Sequence, residues 1–279
     1  MILNREKTMK EKKTSAIMLL ISFIFGIWSN CTFLTANQEN IKMEKIEKYL
    51  KTATVDPDWK IVGARTEAYF VTLDDGKIKR GGFLKFTNRT RPHNLPDSYK
   101  YAIAAYELDK LLDLNLVPPI VEREIEDRKA SLQILIKNPL TEDMRQVKKI
   151  EAPDHKSFSN TLKDVNVFDN LTYSSSLCEH KGQLSDILIE HKKDWKVWRI
   201  DFSEAFGPYS ELIPECKITH CSRKIFQNLL KLDDKMIISK LKKYINKAEM
   251  KALLKRKKII IKTIKQLIKE KGEEAVLFS

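Results

Sequence analysis

The chain has 279 residues, of which 42% are hydrophobic and 32% are charged. This length and balance allow a sizeable core in one domain, or in one domain of two lobes, and argue against wholesale disorder. No apolar run reaches the ~20 residues of a membrane-spanning helix, which excludes a polytopic membrane protein. Sparse glycine and proline, four cysteines and no internal repeat exclude collagen-like, disulfide-scaffold and solenoid classes.

The net charge of +13 is concentrated near the C-terminal end of the sequence. Residues 231–270 contain fourteen basic and four acidic residues, residues 1–30 carry +3, and the remainder is neutral. Because the excess belongs to one segment, it is weak evidence for nucleic acid, which is not favoured as a partner. A solvated helix face is the simpler explanation, and contact with anionic lipid stays open.

Residues 1–30 have the parts of an export signal. Basic residues precede the apolar run 16–28 (AIMLLISFIFGIW), which is followed by Ser29, Asn30 and Cys31. A Cys at this place resembles bacterial lipoprotein signals, in which it carries the lipid, although Asn30 stands where a small residue is usual. We expect Cys31 to be lipidated and the chain to be anchored at the membrane of a bacterial cell envelope. A cleaved signal, an uncleaved anchor and a soluble N-terminal helix stay open.

The first half of the chain is predicted to be rich in strands, with one inserted helix. Segments AYFVTL and GGFLKF alternate apolar and polar residues around a DDG turn at 74–76, which is typical of a β-hairpin. Asp97 and Ser98 are typical helix-start residues. The predicted elements are a helix at 41–51, strands within 58–86, a helix from Ser98 to Leu112, and strands at 120–125 and 130–136.

The second half is predicted to be mainly helical. Its elements are a loop with one helical turn at 137–160, a helix at 161–173, strands at 186–190 and 196–201, and helices from 222 onward, the last at 247–270. This order predicts the α+β class and a two-lobed protein-kinase-like fold, with a β-rich N-lobe and a helical C-lobe. The predicted domains are 1–30 (signal peptide), 31–54 (tether and short helix), 55–136 (N-lobe) and 137–279 (C-lobe).

Two charged residues at strand ends indicate a nucleotide site. Lys85 lies alone in the apolar strand FLKF, where a Lys can clamp phosphates. Asp201 ends the apolar strand KVWRID, where a carboxylate can hold Mg²⁺. An outward-facing Lys on an edge strand is the alternative for Lys85.

Six segments in this order resemble a bacterial family of atypical kinase-like proteins, related to HipA-like kinases, phosphatidylinositol-kinase-like folds and secretory-pathway casein kinases. The resemblance covers residues 55–277. Its segments are GGFLKF (81–86), 98–124, SLQILI (131–136), VFDNLTY (167–173), KVWRIDFSEAF (196–206) and 252–278.

The resemblance implies that ATP lies between the lobes together with Mg²⁺ or Mn²⁺. Lys85 would contact the phosphates and Asp201 would bind the metal. The strand segment Gln133, Ile134 and Leu135 would form the hinge on the adenine side.

The chain departs from this family at catalytic positions. Ala102 stands where relatives carry the helix Glu that pairs with the Lys, and Glu107 lies on a different face of that helix. Ser176 stands at the position of the catalytic Asp, and a hydroxyl cannot accept the substrate proton as a carboxylate does. Asp186 replaces the metal-binding Asn, which is a conservative change because its oxygens also bind Mg²⁺.

These departures favour an exported, lipid-anchored pseudokinase that holds nucleotide or metal and acts by binding a partner, including a protein. Two alternatives stay open. One is an active atypical kinase in which Glu179 or His180 replaces the missing base. The other is a surface-binding lipoprotein whose cleft is empty.

The cysteines allow two further interpretations. Export permits a disulfide among Cys178, Cys216 and Cys221, and free or buried thiols are the alternative. His180 and His220 lie near these cysteines and add zinc-ligand types, but their spacing matches no known zinc finger.

Overall fold

The computed structural model describes residues 42–62, 67–91, 95–174, 184–192 and 194–279. The predicted signal segment, Cys31 and residues 176–180 lie outside these ranges. The chain divides into two compact units, Met1–Lys48 and Tyr49–Ser279, and both predicted lobes fall in the second unit. Within the described ranges, no helix combines the length and hydropathy that crossing a bilayer requires.

An antiparallel sheet forms the first half of the second unit, in the strand order β1-β3-β4-β8-β7, with β2 paired to β3. The hairpin predicted at 74–76 joins β3 and β4, and Gly76 adopts a φ of 81° in its turn. Leu84, Leu132 and Val121 lie opposite one another on one buried face of the sheet. The strands are β1 (Thr54–Val55), β2 (Lys60–Ile61), β3 (Ala68–Asp74), β4 (Lys79–Lys85), β7 (Ile120–Ile125) and β8 (Arg128–Ile134).

One helix, α2 (Tyr99–Leu111), is inserted between β4 and β7, as predicted. Its N-cap is Ser98, whose hydroxyl accepts a hydrogen bond from the Lys100 N–H. The helix packs against β7, β8 and a later helix, α6 (Asp234–Leu241). Helix α1 covers residues 42–52, close to its predicted range.

The second half is helical around a small antiparallel sheet of β9 (Leu140–Thr141), β10 (Ile187–Glu190) and β11 (Lys196–Arg199). Helix α7 packs against α4, α5, α6 and α8, so it is the central helix of this half. The remaining helices are α3 (Glu142–Val147), α4 (His155–Thr172), α5 (Arg223–Lys231), α7 (Lys247–Lys271) and α8 (Glu273–Val276).

The predicted α+β class, with one helix inserted among strands before a helical second half, is confirmed. Two local predictions are wrong, and one hairpin was missed. Helix α4 begins at His155 rather than 161, because the Asp154 carboxylate caps it by accepting the Ser157 N–H at 2.9 Å. The region after 222 is not wholly helical, since β12 (Cys221–Ser222) pairs in parallel with β13 (Leu277–Phe278). A hairpin of β5 (Asn88–Arg91) and β6 (Leu95–Ser98) was not predicted.

Candidate functional site

Lys85 and Asp201, which are 116 residues apart in the sequence, form an ion pair. Lys85 ends β4, and its side chain is 5% exposed. Its Nζ donates hydrogen bonds to the Asp201 Oδ1 at 3.0 Å and to the Ser203 Oγ at 2.8 Å. The alternative of an outward-facing Lys85 is therefore wrong, because this ammonium lies in the interior with two oxygen partners.

Asp201 follows β11 in a left-handed backbone conformation, with a φ of 58°. Burial opposes its ionisation, but the charge of Lys85 and hydrogen bonds from Lys85 and Ser203 outweigh this and lower the pKa of Asp201. Its side chain nevertheless remains 51% exposed, in contrast to that of Lys85. The Asp201 carboxylate is thus kept ionised by Lys85 and Ser203, while about half of its side chain stays accessible to a ligand.

Asp186 supplies a second carboxylate at this site. It lies next to β10, and its backbone carbonyl accepts the Ile200 N–H at 2.9 Å. Burial raises the pKa of Asp186 to about 7, the Arg199 charge opposes the rise, and the Asp201 and Asp169 charges add to it. The two carboxylates repel each other, and this repulsion would be relieved by a cation between them.

The paired carboxylates fit a hard divalent cation. Oxygen ligands suit Mg²⁺ and Mn²⁺, and Mg²⁺ commonly uses one or two carboxylates with water and phosphate in its other positions. Among the described side chains, no cluster of three or more His, Cys, Asp or Glu is arranged for a metal. Asp186 and Asp201 would therefore hold a cation only together with a ligand or water.

Arg199 connects the parts of this site and is completely buried. Its Nε donates to the Asp169 Oδ1 at 2.9 Å, and Asp169 is also buried. Its Nη2 donates to the Ser174 Oγ at 2.8 Å, and its Nη1 lies 4.0 Å from the Asp186 Oδ2. One guanidinium thus fixes the end of α4, the start of the following loop and the second carboxylate.

The predicted hinge segment lies at the end of β8, an inner strand that pairs with β4, the strand of Lys85, on one side and with β7 on the other. Residues two apart on a strand share a face, as do residues paired across strands. Because Lys85 pairs with Ser131 and Phe83 pairs with Gln133, Gln133 shares the face of Lys85. The Ile134 side chain lies on the opposite, buried face of the sheet.

Apolar side chains on the Lys85 face remain accessible. Leu135 is 39% exposed, and Phe70 is 42% exposed and packs edge-on against Phe83 with ring centroids 5.7 Å apart. Leu135 lies across Gly81, where an added Cβ would come within 2.7 Å of its Cδ2. This face therefore presents accessible apolar side chains on the side of the sheet from which Lys85 projects.

In the described part of the chain, the contacts of Lys85 come from residues other than those of α2. Ala102 is buried in α2, and Glu107 pairs with Lys110 at 2.9 Å. Instead Ser203, which sequence reasoning missed, contacts Lys85. Its hydroxyl also donates to Asp201 at 3.1 Å, and its carbonyl accepts the Ser98 N–H at 2.8 Å. The sequence signal that could have identified Ser203 is its hydroxyl two residues after Asp201, the predicted metal ligand.

The other sequence expectations concern cysteines. Cys216 is disulfide-bonded, and its partner lies outside the described residues. Cys221 is a free buried thiol, and burial raises its pKa to about 12. Cys216 is therefore not available to zinc in this state, and Cys221 is not part of the disulfide.

A cavity of about 500 Å³ is lined by residues from both halves of the chain. Phe158, Asp164, Trp195 and Lys224 are among its lining residues. It contains none of the predicted site residues, and the chemistry described above lies outside it.

Comparison with known proteins gives little support beyond this geometry. No family model and no curated protein matches the sequence. A crystal structure of the Helicobacter pylori proinflammatory kinase CtkA overlaps with a TM-score of 0.47 and 10% identity, over 82% of this chain and 99% of that chain. This overlap is too weak to carry a conclusion, so the site must be interpreted from its own residues.

Proposed function

We propose that this chain is an exported, lipid-anchored, kinase-like protein that binds a nucleotide with Mg²⁺ or Mn²⁺ and acts mainly by binding a partner. The observation that carries the proposal is the ion pair between buried Lys85 and half-exposed Asp201. The Lys supplies a fixed positive charge for phosphate, and Asp201 with Asp186 supplies oxygen ligands for the cation. The apolar face of Phe70 and Leu135 offers a surface for a base.

Weak or absent phosphoryl transfer is part of the proposal. A carboxylate that accepts the substrate proton typically contributes ~10²–10⁴-fold in rate, and Ser176 cannot supply it. Because Ala102 stands in place of the helix carboxylate, Ser203 and Asp201 are the residues that position the Lys85 ammonium. Nucleotide binding requires neither of the missing groups.

A thermal-shift titration of the full chain with ATP or ADP and Mg²⁺ or Mn²⁺ tests this function. A ligand that binds only the folded state stabilises it by about 2.7 kcal/mol at a hundred times its Kd. We expect a shift for the wild type that is lost in Lys85→Met and Asp201→Asn. The matched controls are Lys79→Met and Asp74→Asn. Lys79 and Asp74 form an exposed ion pair at 3.3 Å on the hairpin of β3 and β4.

The outcomes separate the functions. A shift abolished in both site variants, with no phosphate release or autophosphorylation, supports a binding protein. The same shift with turnover would instead indicate an active atypical kinase. No shift at millimolar nucleotide would contradict the nucleotide site and leave a surface-binding protein with an empty cleft.

Replacement of Ser203 by Ala should weaken nucleotide binding about tenfold, because a hydrogen bond to a charged group contributes about 1.5 kcal/mol or more. The change removes one of the two described oxygen partners of Lys85 and a donor to Asp201. Calorimetric titration would measure it. Ser203→Thr keeps the hydroxyl and should bind as the wild type does. Equal affinity for the Ala variant would show that Asp201 alone positions the ammonium.

Lipid anchoring has its own test. Mass spectrometry of the chain expressed in a bacterium should find N-terminal acyl chains on Cys31, and the Cys31→Ser variant should carry none. An unmodified Cys31 in a membrane-bound chain would point to an uncleaved anchor instead.

A further inference from the structure

Seven lysines form one row along the outer face of α7. They recur every three or four residues, which places them on the same side of a helix. All seven are exposed, while Leu253, Arg256, Ile260 and Ile264 on the opposite side are buried. The row spans about 33 Å, at 1.5 Å per residue. The lysine row comprises Lys247, Lys251, Lys255, Lys258, Lys262, Lys265 and Lys269.

The charge of the lysine row is almost unbalanced. Within the described residues, its one ion pair joins Lys258 to Asp234 at a long 4.0 Å, and Asp234 is shared with Lys257 at 2.7 Å. Like charges three or four residues apart on a helix repel and destabilise it. An anionic surface along this face would remove that repulsion and gain attraction from every lysine at once.

Exposed apolar side chains lie close to the lysine row. The contacts of Lys257 and Lys258 with Asp234 place the start of α6 beside the middle of the row. The segment around this point carries Leu230, Met236 and Ile238, which are 46%, 51% and 40% exposed. Lysines next to exposed aliphatic side chains are typical of surfaces that lie in a bilayer interface.

We propose that the lysine row, with Leu230, Met236 and Ile238, docks on an anionic lipid bilayer. Lipid is favoured over nucleic acid by the composition of the surface. Nucleic-acid sites rely heavily on arginine and on exposed aromatic rings for stacking. The single arginine of α7, Arg256, is buried, and so are Phe226 and Tyr244 on the neighbouring elements. Lysine alone suffices for attraction to headgroups.

Lysine footprinting of the full chain tests the proposal residue by residue. The chain is acetylated in solution, on phosphatidylcholine vesicles, and on vesicles that contain about 30% phosphatidylglycerol, at low and high salt. We expect the row lysines to lose several-fold reactivity on the anionic vesicles alone and to regain it at high salt. Exposed lysines elsewhere, such as Lys60 and Lys137, should react equally under all conditions.

Charge-reversal variants supply an independent readout. The row variant changes Lys251, Lys255, Lys262 and Lys265 to Glu, and the control variant changes Lys60, Lys77, Lys137 and Lys148 to Glu. The two have the same net charge, and the apolar segment 16–28 is common to both. Co-sedimentation should show at least tenfold weaker association with anionic vesicles for the row variant than for the control variant.

Three results would overturn the proposal. They are equal reactivity of the row lysines on anionic and neutral vesicles, equal sedimentation of the two variants, and protection of the row by nucleic acid but not by vesicles. The footprint uses the wild-type chain, so it decides the question even if the row variant does not fold.

Discussion

Replacing Arg199 by Met is expected to lower the free energy of unfolding by roughly 3–5 kcal/mol, which is the usual cost of breaking a buried ion pair on one side. The variant leaves the Asp169 carboxylate without its guanidinium partner, although both groups are completely buried. It also leaves the Ile200 carbonyl and the Ser174 hydroxyl without their donor. Urea denaturation should show a lower midpoint at an unchanged slope.

A double variant distinguishes pairing from packing. Arg199→Met with Asp169→Leu removes both charges and should recover part of the loss, because no uncompensated charge stays buried. Lys224→Met breaks an exposed pair with Asp113 at 2.9 Å and should cost no more than about 1 kcal/mol. If Arg199→Met cost as little as this control, the guanidinium could not be the connection at the site that its contacts indicate.

The second large effect concerns pH and Asp109. This residue of α2 is buried, and its Oδ1 accepts the Leu116 N–H at 3.0 Å. Burial raises the pKa of Asp109 from 3.8 to about 7. Between these two values the folded chain binds a proton that the unfolded chain has lost, so this group makes stability fall as pH rises. The slope approaches about 1.4 kcal/mol per pH unit and ends near pH 7.

Asp109→Asn should remove this slope, because an amide does not titrate. The amide oxygen can still accept the Leu116 N–H, so the fold should persist. Urea midpoints from about pH 5 to about pH 8 would measure the difference between the two chains. Asp143→Asn, at an exposed position, should keep the wild-type profile. A wild-type profile for Asp109→Asn would show that Asp109 is ionised throughout this range.

Local sequence patterns predicted the elements whose cause is local. The DDG turn and the alternation of its flanks predicted β3 and β4, and Ser98 predicted the start of α2. Sequence patterns failed for strands that are very short or that pair with a strand far away in the sequence. Cys221 and Leu277 pair across 56 residues in strands of two residues, which have no periodicity to detect. The start of α4 was missed because its first turn is polar, although Asp154 caps it.

The site shows the same division. Lys85 and Asp201 were identified because each is a charged residue in an apolar strand. Ser203 and Arg199 were not, because a hydroxyl or a guanidinium acquires its role only from residues that the fold brings near. Arg199 lies two residues before Asp201 and between the apolar residues Trp198 and Ile200, and a charge buried there required a partner. That partner is Asp169, and nothing in the segment VFDNLTY indicated that its Asp would pair with Arg199.

The contacts of Ser203 make the site tolerant of change along most of α2. Among the described contacts, the first end of the helix reaches Ser203, an oxygen partner of Lys85, through the backbone hydrogen bond that the Ser98 N–H donates to the Ser203 carbonyl. Residues in the middle of α2 can therefore be substituted without altering the charges of Lys85 and Asp201, provided that the packing of the helix is kept. A Glu placed at position 102 would compete for Lys85 with Asp201 and Ser203, which already accept its hydrogen bonds, so that one substitution should leave the contacts of Lys85 unchanged.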